Sequence, residues 1–175
     1  MKLCARSWEG CTLCTNTMHK VADEIESEVG TPLLHIADTT ADAILRRHVQ
    51  RVGLLGTRFT MEEDFYCRRL RETHALDVQV PHDNARVAIN DVIYQELCRG
   101  IVKRESKRLY LDVIADLVAR GAEGVILGCT EIMLLIQQED VSVPVFDTTT
   151  LHALAAVEMS LRGDAPRDRN TPNQR

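Results

Sequence analysis

Three short polar segments hold the residues best suited to chemistry: Thr15-Asn16-Thr17, Gly56-Thr57-Arg58 and Gly128-Cys129-Thr130-Glu131. Each follows a stretch that reads as a β-strand and leads into one that reads as a helix. Helix N-termini carry partial positive charge and point backbone N–H groups outward, so they hold carboxylates well. A small anionic substrate is the ligand this pattern points to. The bland reading of any one of them is an N-cap; it is their repetition that favours a site. Cys129 stands out among the thiols, because a cysteine between a buried strand and a helix start is expected to have a lowered pKa and to supply thiolate. Thr130 can cap the helix and Glu131 can hydrogen-bond a neighbour.

The other cysteines are at positions 4, 11, 14, 67 and 98. Cys11 and Cys14 form a C-x-x-C, but no second ligand pair at similar spacing accompanies it, so metal or redox work is not expected. Small buried thiols near a strand are the expectation there, and Cys67 and Cys98 read as buried mid-helix thiols.

The elements that must position these residues follow from hydrophobic periodicity. Strands are expected at 11–16, 33–36, 52–55, 78–80, 124–127 and 143–146. Helices are expected at 18–29, 39–49, 60–73, 85–100, 107–120, 131–137 and 151–161. The 60–73 helix is expected to open on the capping box Thr60-Met61-Glu62-Glu63. Gly124-Val125-Ile126-Leu127 is a continuous apolar run of the kind buried on both faces of a parallel sheet. Strands alternating with helices imply an α/β fold. From Arg162 onward the chain is polar, and 162–175 reads as a disordered tail.

A hydrophobic share of 45% with 27% charged residues fits a globular protein with a real core. The net charge of −5 argues against a nucleic-acid partner. No apolar run approaches the roughly 20 residues that span a bilayer, and no signal-peptide stretch precedes Arg6, so a cytoplasmic location is expected.

Gly128-Cys129-Thr130-Glu131-Ile132 resembles the second catalytic segment of cofactor-independent aspartate/glutamate racemases, and Cys14-Thr15-Asn16-Thr17-Met18-His19-Lys20 is similar to their first. The segments 54–62, 92–97 and 144–148 resemble further family segments in the expected order. The resemblance covers about 13–161 and is closest to the subgroup acting on L-aspartate and L-glutamate. It implies two pseudo-symmetric α/β lobes with parallel sheets: 1–40 plus 147–161 as an incomplete first lobe and 41–146 as the second. It implies catalysis without pyridoxal phosphate, other cofactor or metal. Two acid/base groups would work on opposite faces of the α-carbon, because one group can return a proton only where it was taken. Carried onto this chain, Thr15 and Cys129 are the catalytic pair. Asn16, Thr17, Thr57, Thr130 and Glu131 bind an acidic amino acid, and assembly as a homodimer is compatible.

Two departures from the family pattern stand out. Thr15 occupies the position where the family places cysteine, and on an alternating strand Cys14 would face away from it. A hydroxyl is a far poorer base than a thiolate, so turnover is expected to be lopsided between enantiomers. The family's opening Gly-Gly-Met-Ser-Trp-Glu loop is echoed only by Ser7-Trp8-Glu9, so the first lobe is expected to lack its leading strands. Two other readings stand beside a racemase: an inactive remnant that at most binds small acids, and a related enzyme acting on hydantoins or maleate.

Overall fold

A computed structural model describes residues 10–162. The Ser7-Trp8-Glu9 echo and the 163–175 stretch of the expected tail lie outside the described residues. The fold is α/β, with parallel sheets flanked by helices. In chain order the elements are β1 (Cys11–Thr12), α1 (Ala22–Val29), β2 (Leu33–Leu34), α2 (Ile36–Arg46), β3 (Arg51–Gly56), α3 (Arg58–Glu62), α4 (Asp64–His74), β4 (Asp77–Gln79), α5 (Asp83–Gln95), α6 (Arg104–Ala119), β5 (Gly124–Gly128), β6 (Val145–Asp147) and α7 (Thr148–Arg162). Tighter 3-10 turns occupy Thr17–Val21, Leu97–Arg99, Ile132–Leu134 and Gln138–Asp140.

β1 and β2 form a two-stranded parallel sheet, and the other four strands form a second parallel sheet in the order β4-β3-β5-β6. The centre of the larger sheet is the β3–β5 pair, in register from Val52 opposite Gly124 to Gly56 opposite Gly128. Both strands are almost wholly apolar in sequence, as strands covered by helices on both faces must be. Side chains alternate between faces. Val52, Leu54 and Ile126 pack with Ile36, Ile44, Tyr66 and Leu70 from α2 and α4. Leu55, Val125 and Leu127 pack with Ile89, Ile93, Tyr110, Ile114 and Leu117 from α5 and α6. Each fully buried leucine or isoleucine stabilises by roughly 1.5–3 kcal/mol relative to exposure, which makes this double layer the main source of stability.

At the carboxyl end of the central pair the backbones come very close. A Cβ added at Gly56 would lie 2.9 Å from the Gly128 carbonyl oxygen, and one at Gly128 would lie 2.9 Å from that of Leu55. Glycine there lets the two chemistry-bearing turns leave the sheet side by side.

Several expectations are corrected. The first strand covers two residues rather than six, because residues 13–16 leave the sheet and are held by loop bonds such as Thr15 N–H to the Leu13 carbonyl, 2.8 Å. Alternation along a strand therefore does not govern Cys14 and Thr15. Cys14 is exposed and Thr15 half-buried. The capping box at Thr60 is replaced by a cap at Thr57, whose side chain accepts from Thr60 N–H, and α4 begins only at Asp64. The helix expected over 131–137 is a single 3-10 turn, Ile132–Leu134. Cys98 is exposed on a 3-10 turn after α5 rather than buried mid-helix, while Cys67 is buried as expected.

Candidate active site

Asn16 and Thr17 enter the carboxyl edge of the large sheet from the loop after β1. Thr17 Oγ1 lies 3.2 Å from Thr57 Oγ1, which in turn lies 3.2 Å from Thr60 Oγ1. Asn16 is 3% exposed, and its Nδ2 donates to Thr148 Oγ1 at 3.0 Å. Thr148 donates its own proton to the Leu127 carbonyl at 2.9 Å. That relay fixes the amide's orientation, because a hydroxyl that has given its proton to a carbonyl can only accept from Asn16. Asn16 Oδ1 is left as a buried acceptor with no partner among the described residues. An unpaired buried acceptor costs about 1–3 kcal/mol, which marks it as a position where a donor belongs.

Cys129, Thr130 and Glu131 form the neighbouring cluster, one residue beyond the register partner of Gly56. The Cys129 thiol donates to Glu131 Oε2 at 3.0 Å, and Thr130 Oγ1 donates to the same oxygen at 2.6 Å. The expected lowering of the Cys129 pKa is contradicted. Burial pushes the thiol up, and the Glu131 carboxylate holding its proton pushes the same way. The helix that would have lowered it is also missing, since only the three-residue turn Ile132–Leu134 follows. Burial works against ionising Glu131 as well, but the Cys129 and Thr130 donors outweigh it and hold the carboxyl below its usual value. The resting pair is a thiol hydrogen-bonded to a carboxylate.

Thr15 is placed by its backbone. Its carbonyl accepts a bond of 2.7 Å from His19 Nδ1, while its hydroxyl makes no hydrogen bond among the described residues. The structure thus brings Asn16, Thr17 and Thr57 together directly. It sets Cys129, Thr130 and Glu131 on the adjoining strand end and ties the two groups through Thr148 and Leu127. A cavity of about 340 Å³ between α3, α4 and α5, lined by Met61, Cys67, Arg71, Val80 and Arg86, contains none of these residues. Among the described residues no group of three or more His, Cys, Asp or Glu side chains is placed to hold a metal ion, and no helix is long and apolar enough to cross a membrane.

Thr148 is the clearest residue missing from the sequence-based site. It follows β6 as Thr57 follows β3, so the signal used for the other strand ends applied to it. His19, His35 and His152 gave no such signal: they converge from a 3-10 turn, a helix cap and the last helix, with ring centroids 4.4 Å apart for His19–His35 and 6.0 Å for His19–His152.

Residues 3–156 match the family model described as Asp/Glu/Hydantoin racemase. The chain is 54% identical to a candidate Asp/Glu racemase from Yersinia pestis, with a TM-score of 0.84, over 87% of this chain and 66% of that one. It is 40% identical to an aspartate racemase homologue from Pyrococcus horikoshii OT3, with a TM-score of 0.78 and the same coverage. It is also 31% identical over 117 residues, 67% of this chain and 76% of the other, to an uncharacterized protein in the pnlA 3′ region of Pectobacterium carotovorum subsp. carotovorum. The chain therefore spans just under two thirds of the length of the two solved relatives. By the family match and these likenesses, the chain belongs to the Asp/Glu/hydantoin racemase family.

Proposed function

We propose that this chain carries the site of an amino-acid racemase interconverting L- and D-aspartate or glutamate by two-base α-proton transfer without a cofactor. The single observation that carries the reading is the Cys129 thiol donating to the Glu131 carboxylate at the end of β5, beside the hydroxyls of Thr57 and Thr17. Glu131 accepts the thiol proton as substrate binds, and the resulting thiolate takes the proton from the α-carbon. The electron pair stays on the substrate and spreads into its α-carboxylate. The hydroxyls and N–H groups of Asn16, Thr17, Thr57 and Thr130 stabilise that charge. Thr15 returns a proton from the opposite face, which inverts the centre; Thr15 then regains a proton from solvent and Glu131 releases the one it accepted, which restores the resting site.

In this reading the small sheet belongs to a lobe of 1–40 plus 147–161 and the large sheet to 41–146, with α2 crossing between them. The chain works in the cytoplasm on free acidic amino acids, and a homodimer is its assembly. The relatives from Yersinia pestis and Pyrococcus horikoshii, named for aspartate or glutamate, support acidic amino acids over hydantoins. An inactive, acid-binding form is the second reading, favoured by the raised pKa of Cys129.

The test is incubation with each enantiomer of aspartate and glutamate in heavy water, followed by NMR of the α-hydrogen. The L-enantiomers should exchange faster. Cys129→Ala should abolish exchange, and Thr15→Cys should raise it from the D side. No exchange by the folded native chain, or unchanged exchange in Cys129→Ala, rejects the racemase.

A further inference from the structure

We infer that His19 is the positioning residue of the first catalytic segment: its neutral ring holds Thr15 by one nitrogen and the start of α2 by the other. The inference rests on the racemase reading for its meaning but on geometry for its support. His19 is 3% exposed, and both ring nitrogens are committed to backbone. The Thr15 carbonyl can only accept, so Nδ1, 2.7 Å away, carries the proton. The Ile36 N–H can only donate, so Nε2, 3.1 Å away, offers its lone pair. One tautomer satisfies both, and a protonated ring satisfies only one. Burial agrees with this, lowering the His19 pKa to about 4.

The ring is itself held. His35 packs against it and caps α2 by accepting from Ala37 N–H at 3.1 Å. His152, from α7, lies edge-on to it at 6.0 Å and bonds the Leu34 carbonyl at 2.8 Å. The charged groups nearby, Asp38 of α2 and Arg69 of α4, are paired with one another in a two-bond contact.

Thr15 needs such a support because residues 13–16 have left the sheet. Asn16 is anchored by Thr148 and Thr17 by Thr57, but among the described residues the one side chain that ties Thr15 is His19, through the carbonyl. A proton donor displaced by about 1 Å loses on the order of 100-fold in rate. His19 therefore acts through Thr15 without touching substrate.

Two conservative variants separate the ring's two bonds. In His19→Asn the amide Nδ2 sits where Nδ1 does and keeps the Thr15 bond. In His19→Gln the side-chain oxygen reaches the Nε2 position and keeps the Ile36 bond. Both should lower the melting temperature. For α-hydrogen exchange, His19→Asn should keep kcat within about threefold, whereas His19→Gln should lose on the order of 10–100-fold in kcat with little change in KM. Equal kcat in the two variants, or kcat that simply follows thermal stability, overturns the inference.

NMR gives a readout that does not need activity. At pH 7 the His19 ring should show a protonated Nδ1 and an unprotonated Nε2. Slow amide exchange at Thr15, whose N–H donates to the Leu13 carbonyl at 2.8 Å, should survive in His19→Asn and fail in His19→Gln. If the native chain exchanges no substrate, the racemase reading falls and these NMR results alone decide the positioning role. The opposite tautomer, or equal protection in both variants, rejects it.

Discussion

Replacing Glu131 by glutamine should make Cys129 more reactive toward an alkylating agent while making the chain worse at moving the substrate's α-proton. The carboxylate does two opposed things to the thiol. By accepting its proton at 3.0 Å it stabilises the neutral form, adding to the upward push of burial. By being able to take that proton fully, it lets thiolate form when substrate is present. The Glu131→Gln side chain keeps an acceptor oxygen of similar reach but loses the charge. A hydrogen bond to a charged group contributes roughly 1.5–3 kcal/mol. Glu131 is partly exposed, so solvent screening argues for the lower end, about one pKa unit at ~1.4 kcal/mol per unit. At neutral pH the thiolate fraction, and with it the alkylation rate at Cys129, should rise about tenfold. Exchange of the aspartate α-hydrogen should fall, by on the order of 100-fold if Glu131 is the proton's destination in turnover. Alkylation is read by mass spectrometry of the peptide bearing Cys129, since Cys11, Cys14 and Cys98 are also accessible. Alkylation and exchange rising together would refute the reasoning, because Glu131 would then be only a brake on the thiol. Slower alkylation would refute it too, because the carboxylate would then be promoting ionisation.

Thr148→Val should cost about 1–3 kcal/mol by cutting the Asn16–Thr148–Leu127 relay, lowering the melting temperature by roughly 2–12 °C, with Thr148→Ser close to native. Stability should also fall as pH drops from about 6.5 toward 4. Burial lowers the His19 pKa to about 4 and the His35 pKa to about 2, so the unfolded chain binds more protons than the folded one in that window. This stability is fully present above the unfolded histidine pKa near 6.5 and is lost on acidification below it. His35→Asn keeps an acceptor for the Ala37 N–H but does not titrate, so its urea midpoint should decline less steeply, by about one proton's worth or ~1.4 kcal/mol per pH unit. An unchanged slope would mean that His35 is not held neutral.

The alternation of strands and helices was legible because β3 and β5 are apolar enough to be read as strands buried on both faces, and the glycines at their ends mark the turns that follow. Cys129, Thr130 and Glu131 were legible for the same reason, being fixed by one strand end. What failed was decided over long distances. Residues 13–16 look like strand, but the bonds that shape them come from His19 and Thr148, and nothing local announces either partner. Thr60 opens a respectable capping box, yet its hydroxyl meets that of Thr57, Glu63 is drawn to Lys20, and the cap passes to Thr57. The Cys129 pKa was misjudged because its position after a strand suggested a helix dipole, whereas Glu131 folds back onto the thiol and a 3-10 turn follows.

The pairing of Val52 with Gly124 and Gly56 with Gly128 has a consequence for how the chain is made. β3 emerges from the ribosome long before β5, and α3 through α6 must be synthesised in between. Until β5 arrives, one hydrogen-bonding edge of β3 has no neighbour, and Leu54 and Leu55 lack much of the packing that covers them in the finished fold. Closing a parallel pair across so long an intervening segment is slow, and the waiting strand is a site where other chains can attach. The helices can form locally during that interval, but the centre of the sheet is among the last parts to assemble. Slowing translation upstream of residue 124 should therefore prolong the stage at which nascent chains depend on a chaperone.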